Sequence, residues 1–140
     1  MITEAPLLLD TCAAIWISEN QSISDRAVAA INRTQVAGHS VYVSPITAWE
    51  IGMLVWRGRL KLTMSPHHWF DRLLRIQGVK AAEMPASVLI ASSFMPGELP
   101  RDPADRILAA TAREYGYVLV TRDKPLLDYA TQGYLQAIAC

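Results

Sequence analysis

The sequence predicts an α/β fold in which a mainly parallel sheet of four or five strands is flanked by helices. Short apolar runs, of the kind that a parallel sheet buries on both faces, alternate with stretches of helical length. Capping residues, prolines at first helical positions and glycines at helix ends mark the boundaries. This alternation is typical of an α/β sandwich. At 140 residues we expect one three-layer domain over residues 1–140.

In the first half of the chain, an apolar strand at residues 7–9 is halted by Asp10, and a helix begins by Ala13. The next predicted elements are a helix from Ser24 to Gly38, a β-branched strand at 41–43, a helix from Pro45 to Trp56 and a helix from Pro66 to Ile76. Each of these helices begins with a residue that favours capping or the first helical position. The order strand, helix, helix, strand, helix, helix therefore follows from local signals.

The third helix contains one anomalous residue. Between residues 46 and 56 every residue is apolar, small or hydroxyl-bearing except Glu50. A helix that is apolar nearly all round is expected to be buried. A carboxylate there is costly unless it is neutralised or meets a cation. We therefore expect a functional reason for Glu50.

The second half continues the alternation. The predicted elements are a strand at 79–84, a helix at 86–94, a helix from Asp102 to Gly116, a strand at 118–120, a helix at 124–130 and an edge strand at 135–139. Asp102 and Pro103 are typical of a helix start, and Asp105 falls in the first turn, where a carboxylate interacts well with the helix dipole. Asp123 follows the end of a strand, where open α/β sheets place their ligand sites.

Four acids are therefore expected at one edge of the sheet: Asp10, Glu50, Asp105 and Asp123. Carboxylates brought so close repel one another unless a multivalent cation compensates them. Oxygen ligands suit Mg²⁺ or Mn²⁺, and no His or Cys cluster suggests zinc. Two such ions roughly 4 Å apart are a known device for hydrolysing a phosphodiester. For Asp102, helix capping is the favoured interpretation.

Composition excludes several classes of protein. The 13 basic and 13 acidic side chains cancel, so a nucleic-acid partner needs a local site and not a general attraction. The two cysteines form neither a disulfide framework nor a metal-ligand spacing, which indicates a reduced, cytoplasmic compartment. No signal peptide and no membrane-spanning run is predicted.

The acids lie in four segments that together resemble the PIN domain family, and specifically the VapC-type toxins. The segments are LLLDT from residue 7, SPITAWEI from residue 44, DPADRILAATA from residue 102 and VTRD from residue 120. The connector GRLKL from residue 58 and Trp69 also resemble a subset of these toxins. The resemblance implies a metal-dependent endoribonuclease that cleaves RNA, pairs with a VapB-type antitoxin and forms a homodimer.

The resemblance also implies roles for individual residues. Asp10 and Asp105 match the principal metal ligands, Asp123 a direct or water-mediated ligand, and Glu50 a residue that orients the nucleophilic water or a second ion. Four further residues are possible accessories: Thr121, Asp102, Arg106 and Arg122. Thr121 matches a hydroxyl often found beside the acids, and Asp102 competes with Asp105. The two arginines either contact phosphates or pair with the acids.

Other functions remain open at this stage. A non-catalytic PIN-like binding or regulatory module and a housekeeping RNA-processing nuclease are the main alternatives. A phosphotransferase of the haloacid dehalogenase type needs a second aspartate where this chain has Cys12. A receiver-like domain needs an acid pair near the first strand and a lysine after a late strand. Lys124 does not suit that position, because it directly follows Asp123. The receiver-like alternative is therefore disfavoured.

The remaining chemically active side chains are expected to be structural. They are His39, His67 and His68 at the surface or in packing, Cys12 as a buried thiol, and Trp16, Trp49, Trp56 and Trp69 in the core or a dimer interface. A base-stacking platform is the less favoured interpretation of the tryptophans.

Overall fold

A computed structural model describes residues 5–19 and 21–140. The strands of this part of the chain are β1 (Leu7–Leu9), β2 (Val41–Val43), β3 (Val79–Ala81), β4 (Val118–Thr121) and β5 (Ala137–Ala139). Its helices are α1 (Thr11–Ser18), α2 (Asp25–Val36), α3 (Pro45–Trp56), α4 (Pro66–Leu74), α5 (Ala86–Ala91), α6 (Pro103–Tyr115) and α7 (Lys124–Thr131). The predicted α/β class and the order of its elements are confirmed. Residues 1–4 and 20 lie outside the described residues, and the single domain over residues 1–140 stays a prediction.

The five strands form one parallel sheet in the order β3-β2-β1-β4-β5. β1 lies at the centre, where Leu7 is in register with both Val41 and Val118. β5 is an edge strand, as predicted. This order differs from the 2-1-3-4-5 order of receiver domains. The receiver-like alternative is therefore excluded by topology.

The sheet separates two layers of core side chains. Leu7 and Leu9 point to one layer and Leu8 points to the other, because successive side chains of a strand alternate between faces. All three leucines are buried. Trp69 packs in the first layer and Tyr129 in the second. The helices on both faces thus account for the apolar strands, as expected for an all-parallel sheet.

Several elements are shorter than predicted, among them α4, which ends at Leu74 and not at Ile76. β3 ends at Ala81, and Pro85, which has no N–H to donate, then begins the approach to α5. α5 ends at Ala91, where the Ser92 hydroxyl donates to the carbonyl of Leu89 at 2.6 Å. A serine hydroxyl that bonds its local backbone competes with helix continuation. The edge strand β5 likewise covers only Ala137–Ala139 of the predicted 135–139.

The expectation that α3 is buried all round is wrong. Thr47 and Ile51 are its buried residues, whereas Trp49 is 54% exposed and Trp56 is 85% exposed. α3 contacts α1, α4 and α6, and its two buried residues lie four positions apart on one side of the helix. A helix packed on one side leaves the residues of its other side in solvent, whatever their hydrophobicity. Two large aromatic side chains therefore lie at the surface of this helix.

Four helices have N-caps that bear on the site. Three of them, α1, α3 and α7, begin directly after a strand of the central sheet, and the fourth is α6. Asp10 caps α1, Ser44 caps α3, Asp102 caps α6 and Asp123 caps α7, each with its side chain accepting from a backbone N–H. These N-termini carry partial positive charge. The fold therefore supplies the dipoles that favour anionic side chains there. Within the described residues, no helix is long and apolar enough to cross a membrane.

Truncation of the central strand tests the packing of the sheet. Leu8→Ala removes a side chain that is fully buried in β1, and we expect the free energy of unfolding to fall by about 2–5 kcal/mol because a cavity is left behind. Urea denaturation followed by circular dichroism measures this. Val28→Ala, at a position that is 43% exposed, is the control and should change stability by less than about 0.5 kcal/mol. Equal stabilities of the two variants would contradict the assignment of Leu8 to the core.

Candidate active site

The four predicted acids lie close enough to perturb one another. The negative charge of Asp123 raises the pKa of Asp10, Glu50 and Asp105, and Asp10 raises the pKa of Glu50 and Asp105. Burial is the larger cause in each of the three carboxyl groups. The structure therefore gathers Asp10, Glu50, Asp105 and Asp123 into one acidic cluster.

Asp10 is the most buried member of this acidic cluster, with 4% of its surface exposed. One carboxylate oxygen accepts from the backbone N–H of Ala13 at 2.7 Å, and the other accepts from the Thr121 hydroxyl at 2.5 Å. Burial raises the pKa of Asp10, while these two hydrogen bonds lower it. Asp10 is thus held in one orientation by α1 and β4 together.

Glu50 is oriented by a pair of threonines. The Thr11 hydroxyl donates to the Glu50 carboxylate, and the hydroxyl oxygens of Thr11 and Thr47 are 3.1 Å apart. Burial raises the pKa of Glu50, and the Thr11 hydrogen bond lowers it. No strong signal in the sequence marks Thr11 or Thr47 for this role. The available signal was weak: hydroxyl residues beside an acid in otherwise apolar helices.

Asp102 and Asp105 have different environments, although they are three residues apart. Asp102 is exposed, and its Oδ1 accepts from the backbone N–H of Asp105 at 3.1 Å as the N-cap of α6. The capping role predicted for Asp102 is confirmed. Asp105 is partly buried and its carboxylate accepts no hydrogen bond from the described residues. Burial, followed by the charges of Asp123 and Asp102, raises the pKa of Asp105 from 3.8 to about 8.

Asp123 lies at the start of α7 and caps that helix. Its Oδ2 accepts from the backbone N–H of Leu126 at 3.3 Å. Its own backbone N–H donates to the Thr121 hydroxyl at 3.0 Å. Thr121 thus links Asp10 to the turn that carries Asp123, which explains why a hydroxyl beside the acids is structurally useful.

The two nearby arginines are occupied elsewhere. Arg106 Nε donates to the carbonyl of Pro100 at 2.5 Å. The Arg122 guanidinium lies 3.5 Å above the ring of Trp16 and donates to the carbonyl of Cys140 at 2.8 Å. Among the described residues, the one ion pair joins Lys124 to Asp128, outside the cluster. The carboxylates therefore have no salt-bridge partner in this part of the chain, although the charge of Arg122 lowers the pKa of Asp10.

The donor set fits a hard divalent cation in chemistry and in charge. All four cluster members offer carboxylate oxygens, and neighbouring hydroxyls hold two of them in place. No group of three or more His, Cys, Asp or Glu side chains in the described part of the chain is already arranged to hold a metal. Three of the carboxylates accept hydrogen bonds instead, and Asp105 is left without one. The carboxylates thus fit a cation by chemistry and charge, while the described residues do not form a complete ligand set in their present positions.

The other candidate residues lie outside this cluster. His39, His67 and His68 are exposed, as expected, and Trp69 is buried in the core. The expectation that Cys12 is buried is wrong, since the residue is exposed. Partial desolvation and the charges of Asp10 and Glu50 still raise the pKa of the Cys12 thiol to about 11. A thiol in such a negative field is protonated at neutral pH and unreactive.

Comparison with known proteins agrees with this geometry. The model of the PIN domain family matches residues 7–131. Ribonuclease VapC22 of Mycobacterium tuberculosis is 33% identical over 124 residues, which cover 88% of this chain and 91% of that protein. The segment matched by the PIN family model contains every member of the acidic cluster.

Solved structures share the fold at low sequence identity. VapBC2 from Rickettsia felis, bound to a DNA fragment from its promoter, has a chain that superposes with a TM-score of 0.65 at 15% identity, covering 95% of this chain and 97% of that one. FitAcB from Neisseria gonorrhoeae gives a TM-score of 0.55 at 22% identity, covering 94% and 96%. With the family match and the 33% identical relative, these findings establish that the chain belongs to the PIN domain family and is a homologue of a VapC ribonuclease.

Proposed function

We propose that this protein is a metal-dependent endoribonuclease whose acidic cluster binds Mg²⁺ or Mn²⁺. The observation that carries the proposal is the gathering of four carboxylates, Asp10, Glu50, Asp105 and Asp123, which no salt bridge within the described residues compensates. Burial and the neighbouring acids raise the pKa of Asp105 to about 8. A divalent cation is the simplest group that relieves this repulsion. The 33% identical relative, which is itself named a ribonuclease, supports RNA hydrolysis as the reaction.

Each acid has a proposed part in holding the ion and the substrate water. Asp10 and Asp105 are the main ligands, Asp123 binds directly or through water, and Glu50 holds the attacking water or a second ion. When bound, the ion would lower the pKa of the attacking water and would stabilise charge on the phosphate oxygens. Thr121 keeps Asp10 oriented and Thr11 keeps Glu50 oriented, so the carboxylates meet the substrate in fixed positions.

We further propose that the enzyme is the toxin of a VapBC-type pair that acts on cytoplasmic RNA. A VapB-type antitoxin would restrain it, and a homodimer would be its working form. The support is the VapC22 homology together with a fold shared with chains of VapBC and FitAB complexes. A separate housekeeping role in RNA processing would lack the antitoxin.

Substitution of Asp10 and Asp105 tests the nuclease proposal. We expect a structured RNA pool to be cleaved with Mg²⁺ or Mn²⁺ and not with EDTA. Asp10→Asn and Asp105→Asn should each lower the cleavage rate by at least about 100-fold, because loss of a ligand costs more than loss of its supporting contacts. Gel analysis of 5′-labelled RNA measures the rates.

Asp102→Asn is the matched control for Asp105→Asn. Asparagine caps a helix about as well as aspartate, so stability and most of the cleavage activity should be retained. Cleavage that survives in EDTA and in Asp10→Asn would indicate a contaminating ribonuclease. A folded protein that cleaves no RNA with either metal would favour the non-catalytic binding module and overturn the proposal.

The raised pKa of Asp105 also predicts how stability depends on pH in metal-free protein. Because its pKa rises from 3.8 to about 8 on folding, the folded state binds more protons in that range, and stability falls as pH rises through it. Thermal melts in EDTA at pH 5 and pH 8 measure this fall. Asp105→Asn should raise the melting temperature at pH 8 by a few degrees, roughly 1 kcal/mol, and flatten the pH dependence. A variant no more stable than the parent protein at pH 8 would contradict the mutual repulsion of the acids.

A further inference from the structure

The exposed side of α3 combines two features that the acidic cluster does not use. Trp49 and Trp56 project from this side, and they are 54% and 85% exposed. Directly after Trp56, the connector to α4 presents three exposed cations, Arg57, Arg59 and Lys61. None of the three forms an ion pair or a side-chain hydrogen bond with the part of the chain that the structure describes. We call Trp49 and Trp56 the aromatic face, and the three cations the basic connector.

We propose that the aromatic face and the basic connector bind the single-stranded segment of RNA that leads to the acidic cluster. The inference rests on the proposed function and deepens it by naming the form of the substrate and the residues that hold it. Exposed aromatic rings on which bases stack, beside cations that neutralise phosphates, are the two parts of a single-strand binding surface. Here both belong to one continuous segment, residues 49–61.

The position of Trp49 connects this surface to the proposed chemistry. Trp49 directly precedes Glu50 on α3, and Glu50 belongs to the acidic cluster. A base stacked on Trp49 therefore lies within a few nucleotides of the acids. Arg106 and Arg122, the cations next to the cluster, already donate to backbone carbonyls. The basic connector supplies the free positive charge that those two arginines do not.

The spacing of the two rings favours an unpaired strand. Trp49 and Trp56 are seven residues apart, which is two helical turns or about 10 Å along α3. Stacked bases of one strand in a duplex are about 3.4 Å apart along the axis. Bases inside a duplex are already stacked on their neighbours, so rings on the protein surface can stack only on bases that are turned outward from an unpaired strand. Sequence-specific RNA recognition typically uses such loops and ends.

Charge favours RNA as the occupant of this surface. A phosphate backbone complements the three cations of the basic connector, which have no ion-pair partner among the described residues. Because the formal net charge of the whole chain is zero, this local group has to provide the attraction.

The test measures binding separately from cleavage. In an Asp10→Asn background, fluorescence anisotropy with a labelled single-stranded RNA of mixed sequence gives the Kd in Mg²⁺. Trp49→Ala and Trp56→Ala should each raise the Kd by roughly 5-fold or more, and the Trp→Phe variants should retain most of the affinity because phenylalanine also stacks. A duplex of the same sequence should bind more weakly. Replacing all three cations by alanine should flatten the salt dependence of log Kd by about two units of slope.

Phe94→Ala is the matched control, since Phe94 is an aromatic residue that is 82% exposed on a different part of the surface. It should leave the Kd unchanged. Equal Kd values for the parent, Trp49→Ala and Trp56→Ala would overturn the proposal. So would tryptophan variants that convert dimer to monomer in light scattering without changing the Kd, because the aromatic face would then be a self-association surface. Loss of cleavage in Asp10→Asn with normal RNA binding would support the nuclease whatever the outcome for the tryptophans.

Discussion

The main constraint on this structure is the repulsion among the carboxylates that the fold places together beside the ends of its parallel strands. Three of the acids around the site, Asp10, Asp102 and Asp123, are N-caps of helices. Their capping hydrogen bonds and the positive ends of the helix dipoles offset part of the repulsion. Asp105 is the exception, since it is partly buried without a hydrogen bond from the described residues. The unrelieved repulsion adds to burial in raising the pKa of Asp105 to about 8, and it also raises the pKa of Asp10 and Glu50.

This arrangement lets the same residues serve the fold and the proposed chemistry. Asp10 begins α1 and is tied to β4 through Thr121, so its orientation is set by the central sheet. Glu50 is oriented through Thr11 by the helix that Asp10 caps. A change at one acid thus reaches the others through short hydrogen-bonded links as well as through charge. Sites that store such repulsion cost stability, which is the usual trade-off between stability and function.

The fold and the acidic cluster were largely predictable from the sequence, because both depend on local signals. Strand ends such as Leu9 before Asp10 mark the edge of a parallel sheet where ligands bind. Glu50 was conspicuous because an isolated acid in an apolar helix needs a reason. Thr11 and Thr47 were not predictable, since their role depends on how α1 and α3 pack and not on either segment alone. The separate environments of Asp102 and Asp105 likewise follow from tertiary burial.

The surface of α3 shows where composition misleads. Its sequence is apolar enough to predict burial, but the helix packs on one side, and Trp49 and Trp56 are left in solvent. The order of hydrophobic residues around a helix indicates which side can pack, but it does not show whether a neighbouring element covers the other side. Large exposed aromatic residues of this kind are more informative about binding than about the core.

The number of protons released when Mn²⁺ binds tests the proposed metal site most directly. Isothermal titration calorimetry at pH 7, in two buffers of different ionisation enthalpy, gives this number. Because a carboxyl of pKa about 8 is largely protonated at pH 7, binding at Asp105 should release close to one proton, and the release should vanish by about pH 9.5. Mn²⁺ binding without proton release at pH 7 would contradict the electrostatic repulsion within the acidic cluster. No binding at all would contradict the claim that the cluster is a metal site.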